Sequence, residues 1–398
     1  MKNGNSIAET RVRWAMFSRT LRPLDHSFFL FGPRGTGKST WVEAALPGAL
    51  RIDLLRESTY LELLGHADRL EAMADGAGAT TLVVDEVQRL PSLLDEVHRL
   101  IEGRGFRFAL TGSSARKLRR AGTNLLAGRA RTLQMHPFTP TELGDAFQLP
   151  HAVRYGLLPT VWTVEDPERY LAAYVGTYLR EELMQEALVR NLGSFNRFLQ
   201  TASLSQGQTL NVQAVASECA IPRKTAESHF GLLEDLLLAV RLPQFRRRAA
   251  RGLTAHPKFF YFDVGVFRAL RPRGPLDSDA EIEGAALETL VFQVMRAECA
   301  NRELGYELFS WRTASGAEVD LVAYGPRGLH AVEVKRSSRF AEKDLASLRL
   351  FAEDYPEGQG LLLYGGTQRY RFGNIDVVPM AEGLVGLGDR LAGLPAAG

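Results

Sequence analysis

Residues 32–39 read Gly32-Pro33-Arg34-Gly35-Thr36-Gly37-Lys38-Ser39, which fits G-x-x-x-x-G-K-[ST]. Few patterns this short constrain a chain so strongly. Glycines let backbone N–H groups approach phosphate oxygens, and a helix starting at the end of the pattern adds partial positive charge. The geometry requires a strand before the loop and a helix after it. The apolar run Phe28-Phe29-Leu30-Phe31 precedes it, and a helical stretch from Trp41 to Leu46 follows. The loop therefore implies a bound nucleoside triphosphate held by residues Gly32 to Thr40. Lys38 is expected at the β and γ phosphates and Ser39 on Mg²⁺.

Such a site needs an acid at the end of an apolar strand. Thr81-Leu82-Val83-Val84-Asp85-Glu86 supplies two. Asp85 is expected to hold the Mg²⁺ water shell, and Glu86 to orient or deprotonate the attacking water. The next strand ends Ala109-Leu110-Thr111-Gly112-Ser113-Ser114. Thr111, with Ser113 behind it, is the candidate contact to the γ-phosphate or the lytic water; helix N-capping at Ser114 is the competing role.

The 398 residues exceed one ordinary domain. Apolar stretches at Phe28–Phe31, Leu50–Leu54, Thr81–Val84, Arg107–Thr111 and Arg131–Met135 alternate with helical ones such as Tyr60–Ala74 and Pro91–Glu102. That alternation predicts an α/β fold with a parallel sheet over residues 1–140. A mainly helical lid is expected over 141–205, with a long helix starting at Asp166-Pro167 and reaching about Arg190. Residues 206–253 read as helix-turn-helix: Val212–Cys219, a turn at Ala220-Ile221-Pro222, then Thr225–Val240, with the arginine-rich segment beyond as a wing. Strands return over 254–398 at Phe259–Phe262, Glu318–Tyr324, His330–Val334 and Gly360–Tyr364. Helices are expected over Glu283–Cys299 and Ala341–Asp354, and the last ten residues are expected to fray.

The net charge of +2 hides local asymmetry. Arg104 to Arg131 holds eight basic residues and no acidic one, and Arg241 to Arg273 holds nine against Asp263 alone. Two basic clusters on a near-neutral chain point to a polyanion, DNA. The candidate DNA contacts are Arg116, Lys117, Arg119, Arg120, Arg223, Lys224, Arg246, Arg247, Arg248 and Arg251. Only seven of the 48 basic residues are lysine, so lysine at Lys38 and Lys335 points to positions that need a compact ammonium. No apolar run approaches the ~18 residues of a membrane helix, and the first seventeen residues lack a signal-peptide core. Cys219 and Cys299 are far apart, which argues against disulfides and for a cytoplasmic location.

Gly325-Pro326-Arg327-Gly328 separates Glu318-Val319-Asp320-Leu321-Val322 from Ala331-Val332-Glu333-Val334-Lys335. With Pro326 and Arg327 at the tip of a hairpin, Asp320 lies opposite Glu333 and Glu318 opposite Lys335. Residues two apart share a face, so the four side chains converge. Two carboxylates ~5 Å apart repel unless neutralised, and a divalent cation on Asp320 and Glu333 would do so. Lys335 beside it would stabilise an attacking hydroxide or a phosphorane-like charge.

The motifs Gly32 to Thr40, Asp85-Glu86-Val87-Gln88, Leu110 to Ala115 and Leu126-Ala127-Gly128-Arg129 resemble AAA+ ATPases of the archaeal-ATPase group. So do Tyr174 to Glu182, His256-Pro257-Lys258-Phe259, Phe262-Asp263-Val264-Gly265 and Glu318 to Lys335. That resemblance implies an ATPase module, a winged helix and a C-terminal domain. It also implies a homo-oligomer, ring or filament, with a hexameric ring as one form. ATP would then sit at subunit interfaces, with a neighbour's arginine on the γ-phosphate: Arg129, with Arg116, Arg119 and Arg120 behind it. The hairpin resembles the restriction-endonuclease-like (PD-(D/E)XK) fold, including archaeal Holliday-junction resolvases. That likeness implies catalytic roles for Asp320, Glu333 and Lys335, and an acid on an earlier helix, for which Glu288 is the match. The combined expectation is a DNA-remodelling or DNA-translocating ATPase. The rival is a nucleotide-controlled regulatory or defence switch whose C-terminal domain mediates assembly.

Overall fold

Four consecutive apolar residues at 28–31 can be buried only in the middle of a sheet covered on both faces. In the computed structural model they form strand β1 (Phe28–Phe31), with all four side chains buried. The structure describes residues 17–120, 126–179, 192–246, 256–275 and 277–394. The chain divides into two compact units: Met1–His136 with Asp235–Leu238, and Pro137–Glu234 with Ala239–Gly398.

The first unit is built on β1, β2 (Leu50–Asp53), β3 (Thr81–Asp85), β4 (Arg107–Gly112) and β5 (Arg131–Gln134). Their order is β2-β3-β4-β1-β5, and every pairing is parallel. This is the expected α/β architecture. Helices Lys38–Ala45 and Leu93–Arg104 connect the strands. The stretch expected as one helix over Tyr60–Ala74 is two, Glu57–Gly65 and Arg69–Ala77. The break falls at the Gly65-His66 step, where His66 leaves helical geometry. The β1–β4 register pairs Leu30 with Thr111 and Phe31 with Gly112. That register brings the end of β4 beside the start of the glycine-rich loop.

The second unit begins with short helices, among them Leu149–Tyr155 and Pro167–Ala173. The long helix expected from Pro167 becomes a π-helix over Tyr174–Tyr178, and its continuation toward Arg190 lies outside the described residues. Helices Val212–Glu218 and Arg223–Asp235 carry the helix-turn-helix spacing. Strand β6 (Ala239–Leu242) then pairs antiparallel with β7 (Lys258–Tyr261). Sequence reading grouped β7 with the later strands. Instead its four buried residues close a two-stranded sheet with β6.

The remaining strands are β8 (Glu307–Arg312), β9 (Glu318–Gly325), β10 (Gly328–Lys335), β11 (Gln359–Tyr364), β12 (Tyr370–Phe372) and β13 (Ile375–Pro379). They form one mixed sheet in the order β12-β13-β11-β10-β9-β8. The helix Asp279–Asn301 is longer than its expected span and is buried all round from Thr289 to Met295. The chain end is ordered further than expected, since Leu387–Ala392 is helical and buries Leu387 and Leu391.

Candidate functional site

In the first unit, Gly35 and Gly37 adopt φ of 81° and 89°. These left-handed values suit glycine and let the loop curl around its own amides. Gly32 is pinned differently, because an added Cβ would meet the Met135 carbonyl oxygen at 2.5 Å. Lys38 is buried, and its ammonium donates to the carbonyls of Gly32 at 2.7 Å and Pro33 at 3.2 Å. Thr36 Oγ1 donates to the Pro33 carbonyl at 2.8 Å. The loop is thus braced from inside, with Lys38 folded back across its mouth.

Ser39 Oγ donates to Asp85 Oδ2 at 3.1 Å. A hydroxyl and a carboxylate side by side are hard oxygen ligands of the kind Mg²⁺ takes, so these residues fit that ion. Thr111, the candidate contact to the γ-phosphate or the lytic water, donates its hydroxyl to Asp85 Oδ1. Glu86 sits at φ 59°, a left-handed value unusual for a side chain of this size. Gln88 Nε2 donates to Glu86 Oε2 and lies 3.4 Å from Ser113 Oγ.

Sequence reasoning missed three residues here. Gln88 holds the acid expected to handle water. Arg51 on β2 places Nη2 3.7 Å from Asp85 Oδ2. Arg19 donates to the carbonyls of Thr36 and, at 3.1 Å, of His136. Two of them had no usable signal, because lone arginines carry no spacing. Gln88 stood inside a motif already singled out.

Among the candidate arginines of this unit, Arg129 donates to Glu102 within the same chain. Arg116 is 11% exposed and lies 3.0 Å from Asp235. Arg116, Lys117, Arg119 and Arg120 all belong to the short helix Arg116–Arg120. In the second unit, Arg223 and Lys224 are exposed at the start of their helix, while Ala226, Phe230, Leu232 and Leu233 are buried on its other face. Arg246 is exposed; Arg247, Arg248 and Arg251 lie outside the described residues.

The β9–β10 ladder runs from Gly325↔Gly328 to Leu321↔Val332. The ladder ends there, one step short of the expected Asp320–Glu333 pair, which lies on its continuation. The next expected pair, Glu318 with Lys335, does not form. β10 runs beside β11 from His330 to Lys335, and β9 runs beside β8 from Tyr324 back to Glu318, which pairs with Arg312. Lys335 instead lies 3.2 Å from Glu333 and 4.0 Å from Asp344.

Lys258 is the cation among the carboxylates. Its Nζ lies 2.6 Å from Glu318, 2.8 Å from Glu288 and 3.4 Å from Asp320, and the side chain is 2% exposed. Arg312 adds a contact to Glu318 at 3.3 Å, and the Val334 N–H donates to Asp320 Oδ2 at 2.9 Å. Burial alone would pull Lys258 down; the charges of Glu288, Asp320 and Glu318 outweigh that and hold it above the ordinary lysine value. Burial pushes Glu288 up to about 8, against the pull of Lys258. Burial and the Asp320 charge push Glu333 up to about 8, and its Oε2 is buried with no hydrogen-bond partner. Among the described residues no group of three or more His, Cys, Asp or Glu side chains is arranged to hold a metal ion. Lys258 already holds Asp320, one of the two carboxylates expected to carry a divalent cation, so the cluster as it stands does not fit the ion that its likeness to nucleases implies. Lys258 was legible in principle: it is a rare lysine opening a strand whose other residues are all apolar.

Asp263, also within a motif singled out above, is fully buried and structural. Its carboxylate accepts from the backbone N–H groups of Leu157, Gly265 and Val266 and from Gln293 Nε2. Among the described residues no helix is long and apolar enough to cross a membrane.

Comparison with known proteins matches this geometry in its first part. Residues 25–144 match the model of an AAA domain. Residues 147–277 and 283–382 match two domains of unknown function, DUF8612 and DUF4143. No curated protein matches the chain. Among solved structures it is similar to the replication initiator DnaA bound to AMPPCP and single-stranded DNA, at 13% identity over 59% of this chain and 89% of that one, with a TM-score of 0.28. It is also similar to protein VC1899 from Vibrio cholerae, at 12% identity over 79% and 90%, TM-score 0.24. A third is a type III CRISPR defence DNA nuclease activated by cyclic oligoadenylate, at 13% identity over 89% and 48%, TM-score 0.20. Likenesses this shallow carry no functional weight. The match to an AAA domain covers the glycine-rich loop and the whole parallel five-stranded sheet, and so supports an ATPase-type fold for residues 25–144.

Proposed function

We propose that this protein binds and hydrolyses ATP with Mg²⁺ and uses the cycle to remodel DNA or move along it. The observation that carries the reading is the Ser39–Asp85–Thr111 chain of hydrogen bonds beside a lysine-braced glycine loop. Mg²⁺, when bound, would offset phosphate charge. Ser39 and Asp85 would hold it, Lys38 would turn from the loop carbonyls to the phosphates, and Glu86 would orient the attacking water. Arg129, in an oligomer, would leave Glu102 for a neighbour's γ-phosphate.

The DNA part of the reading rests on the helix Arg223–Asp235. It buries one face and leaves Arg223 and Lys224 exposed at its N-terminal end, the end that contacts bases in helix-turn-helix proteins. Strands β6 and β7 would be the flanks of a wing. The C-terminal sheet, with its nuclease-like hairpin, would grip DNA. Holliday junctions are one candidate substrate.

A specific observation favours a second reading, the nucleotide-controlled switch. Arg116 is paired with Asp235, and Arg241 with Glu227 and Glu234, so part of the basic surface is already neutralised. ATP turnover with and without duplex, fork and four-way DNA separates the two, with particle size read in the same buffers. Stimulation by DNA, with affinity falling steeply as salt rises, is the expected result. Nucleotide-dependent assembly indifferent to DNA would replace the motor reading by the switch.

A further inference from the structure

The carboxylates of the C-terminal sheet face an internal cation. Lys258 comes from β7, Glu288 from the helix Asp279–Asn301, and Glu318 and Asp320 from β9. Three separate elements are therefore tied through one ammonium. Its ammonium donates to Glu288 at 2.8 Å and Asp320 at 3.4 Å and pairs with Glu318 at 2.6 Å, and its stem is sealed from water. A divalent ion held by the same oxygens would stand within about 4 Å of that nitrogen, where like charges repel strongly. Lysine and metal are therefore alternative occupants.

We propose that Lys258 occupies the cation position of the C-terminal carboxylate cluster and closes it to divalent metal in the resting protein. Metal-dependent hydrolysis would require Lys258 to withdraw. The inference takes from the proposed function only the nuclease-like reading of the β9–β10 hairpin. It does not depend on ATP turnover or DNA affinity, so it stands or falls separately from them.

The test is a titration of nucleotide-free full-length protein with Mn²⁺, following free ion by electron paramagnetic resonance. A Ser39→Ala background removes any contribution from the glycine loop. Protein with Lys258 intact is expected to show no saturable site tighter than ~1 mM, the weak end of protein cation sites. Lys258→Met is expected to gain a site at least about tenfold tighter, and adding Asp320→Asn should abolish it. Removing the lysine leaves buried carboxylates without a counter-charge, which destabilises. Mn²⁺ should therefore raise the melting temperature of Lys258→Met and leave that of the Lys258 protein unchanged. A micromolar site with Lys258 intact that Asp320→Asn removes would overturn the proposal. So would a folded Lys258→Met protein that takes no more Mn²⁺ than its parent. If Lys258→Met does not fold, the titrations with Lys258 and with Asp320→Asn alone still decide.

Discussion

Gly112 ends β4 directly against the amide of Gln88: a Cβ added there would lie 2.3 Å from Gln88 Oε1. Gln88 is 9% exposed, and its other amide atom holds the Glu86 carboxylate. The position after Thr111 must therefore lack a side chain if the acid is to keep its orientation. Gly112→Ala should displace the Gln88 amide and lower ATP turnover about a hundredfold, the scale of a misplaced general base. ATP affinity should change little, because the glycine loop is untouched. Gln88→Ala should reproduce the split. Steady-state turnover beside equilibrium ATP binding checks it, and an equal loss in both would reject the positioning role.

Lys38 is already bonded to two loop carbonyls, so its site is shaped for a compact ammonium. A planar guanidinium is larger and presents its donors as a rigid fork. Lys38→Arg should therefore lose ATP affinity about as severely as Lys38→Ala, by about tenfold or more. Calorimetric titration with ATP reads this directly. Retained affinity in Lys38→Arg would show that charge alone suffices.

The parallel sheet and the glycine loop were legible because each rests on local rules: apolar runs, turn residues, a fixed motif. The hairpin register was legible too, since Gly325 and Gly328 set it and Asp320 follows by counting. What escaped was side-chain partnership across distant elements. Lys258 lies 62 positions from Asp320, and nothing local says that β7 will face β9. Lys335 drew the attention because it shares a strand with Glu333. The pairing of β9 with β8, which sets Glu318 beside Arg312, and the contact of Glu318 with Lys258 depend on neighbours that the hairpin's sequence does not contain.

Asp263 shows the same lesson in a motif. Its carboxylate caps the helix Val264–Leu270 and also takes the Leu157 N–H at 2.8 Å. Gly156 adopts φ 78°, and a Cβ there would come within 2.2 Å of Asp263 Oδ1. Asp263→Ala leaves several buried donors without an acceptor and should destabilise the second unit by about 2–4 kcal/mol. Urea unfolding followed by tryptophan fluorescence measures it. A loss below ~1 kcal/mol would show that water replaces the carboxylate.

His330 on β10 gives the protein a pH dependence of defined sign. Burial, assisted by the charge of Arg390, lowers its pKa to about 4, and its Nε2 lies 3.0 Å from the Tyr306 hydroxyl. The folded state keeps the imidazole neutral, whereas the unfolded chain takes up a proton near pH 6.5. The unfolded state therefore binds more protons between these values. Stability contributed by His330 is present above about pH 6.5 and is lost as pH falls toward 4, on the order of 3 kcal/mol in all. Glu288 and Glu333 act oppositely. With folded values raised to about 8, they lose their contribution as pH rises from their ordinary range. His330→Gln keeps a side chain able to bond the Tyr306 hydroxyl, removes the titration and leaves both glutamates in place. The difference between the two proteins' unfolding free energies, measured from pH 4 to 8, should thus isolate the imidazole. It should narrow steadily below pH 6.5 and stay flat above it. A difference independent of pH would mean that His330 keeps its proton equilibrium on folding.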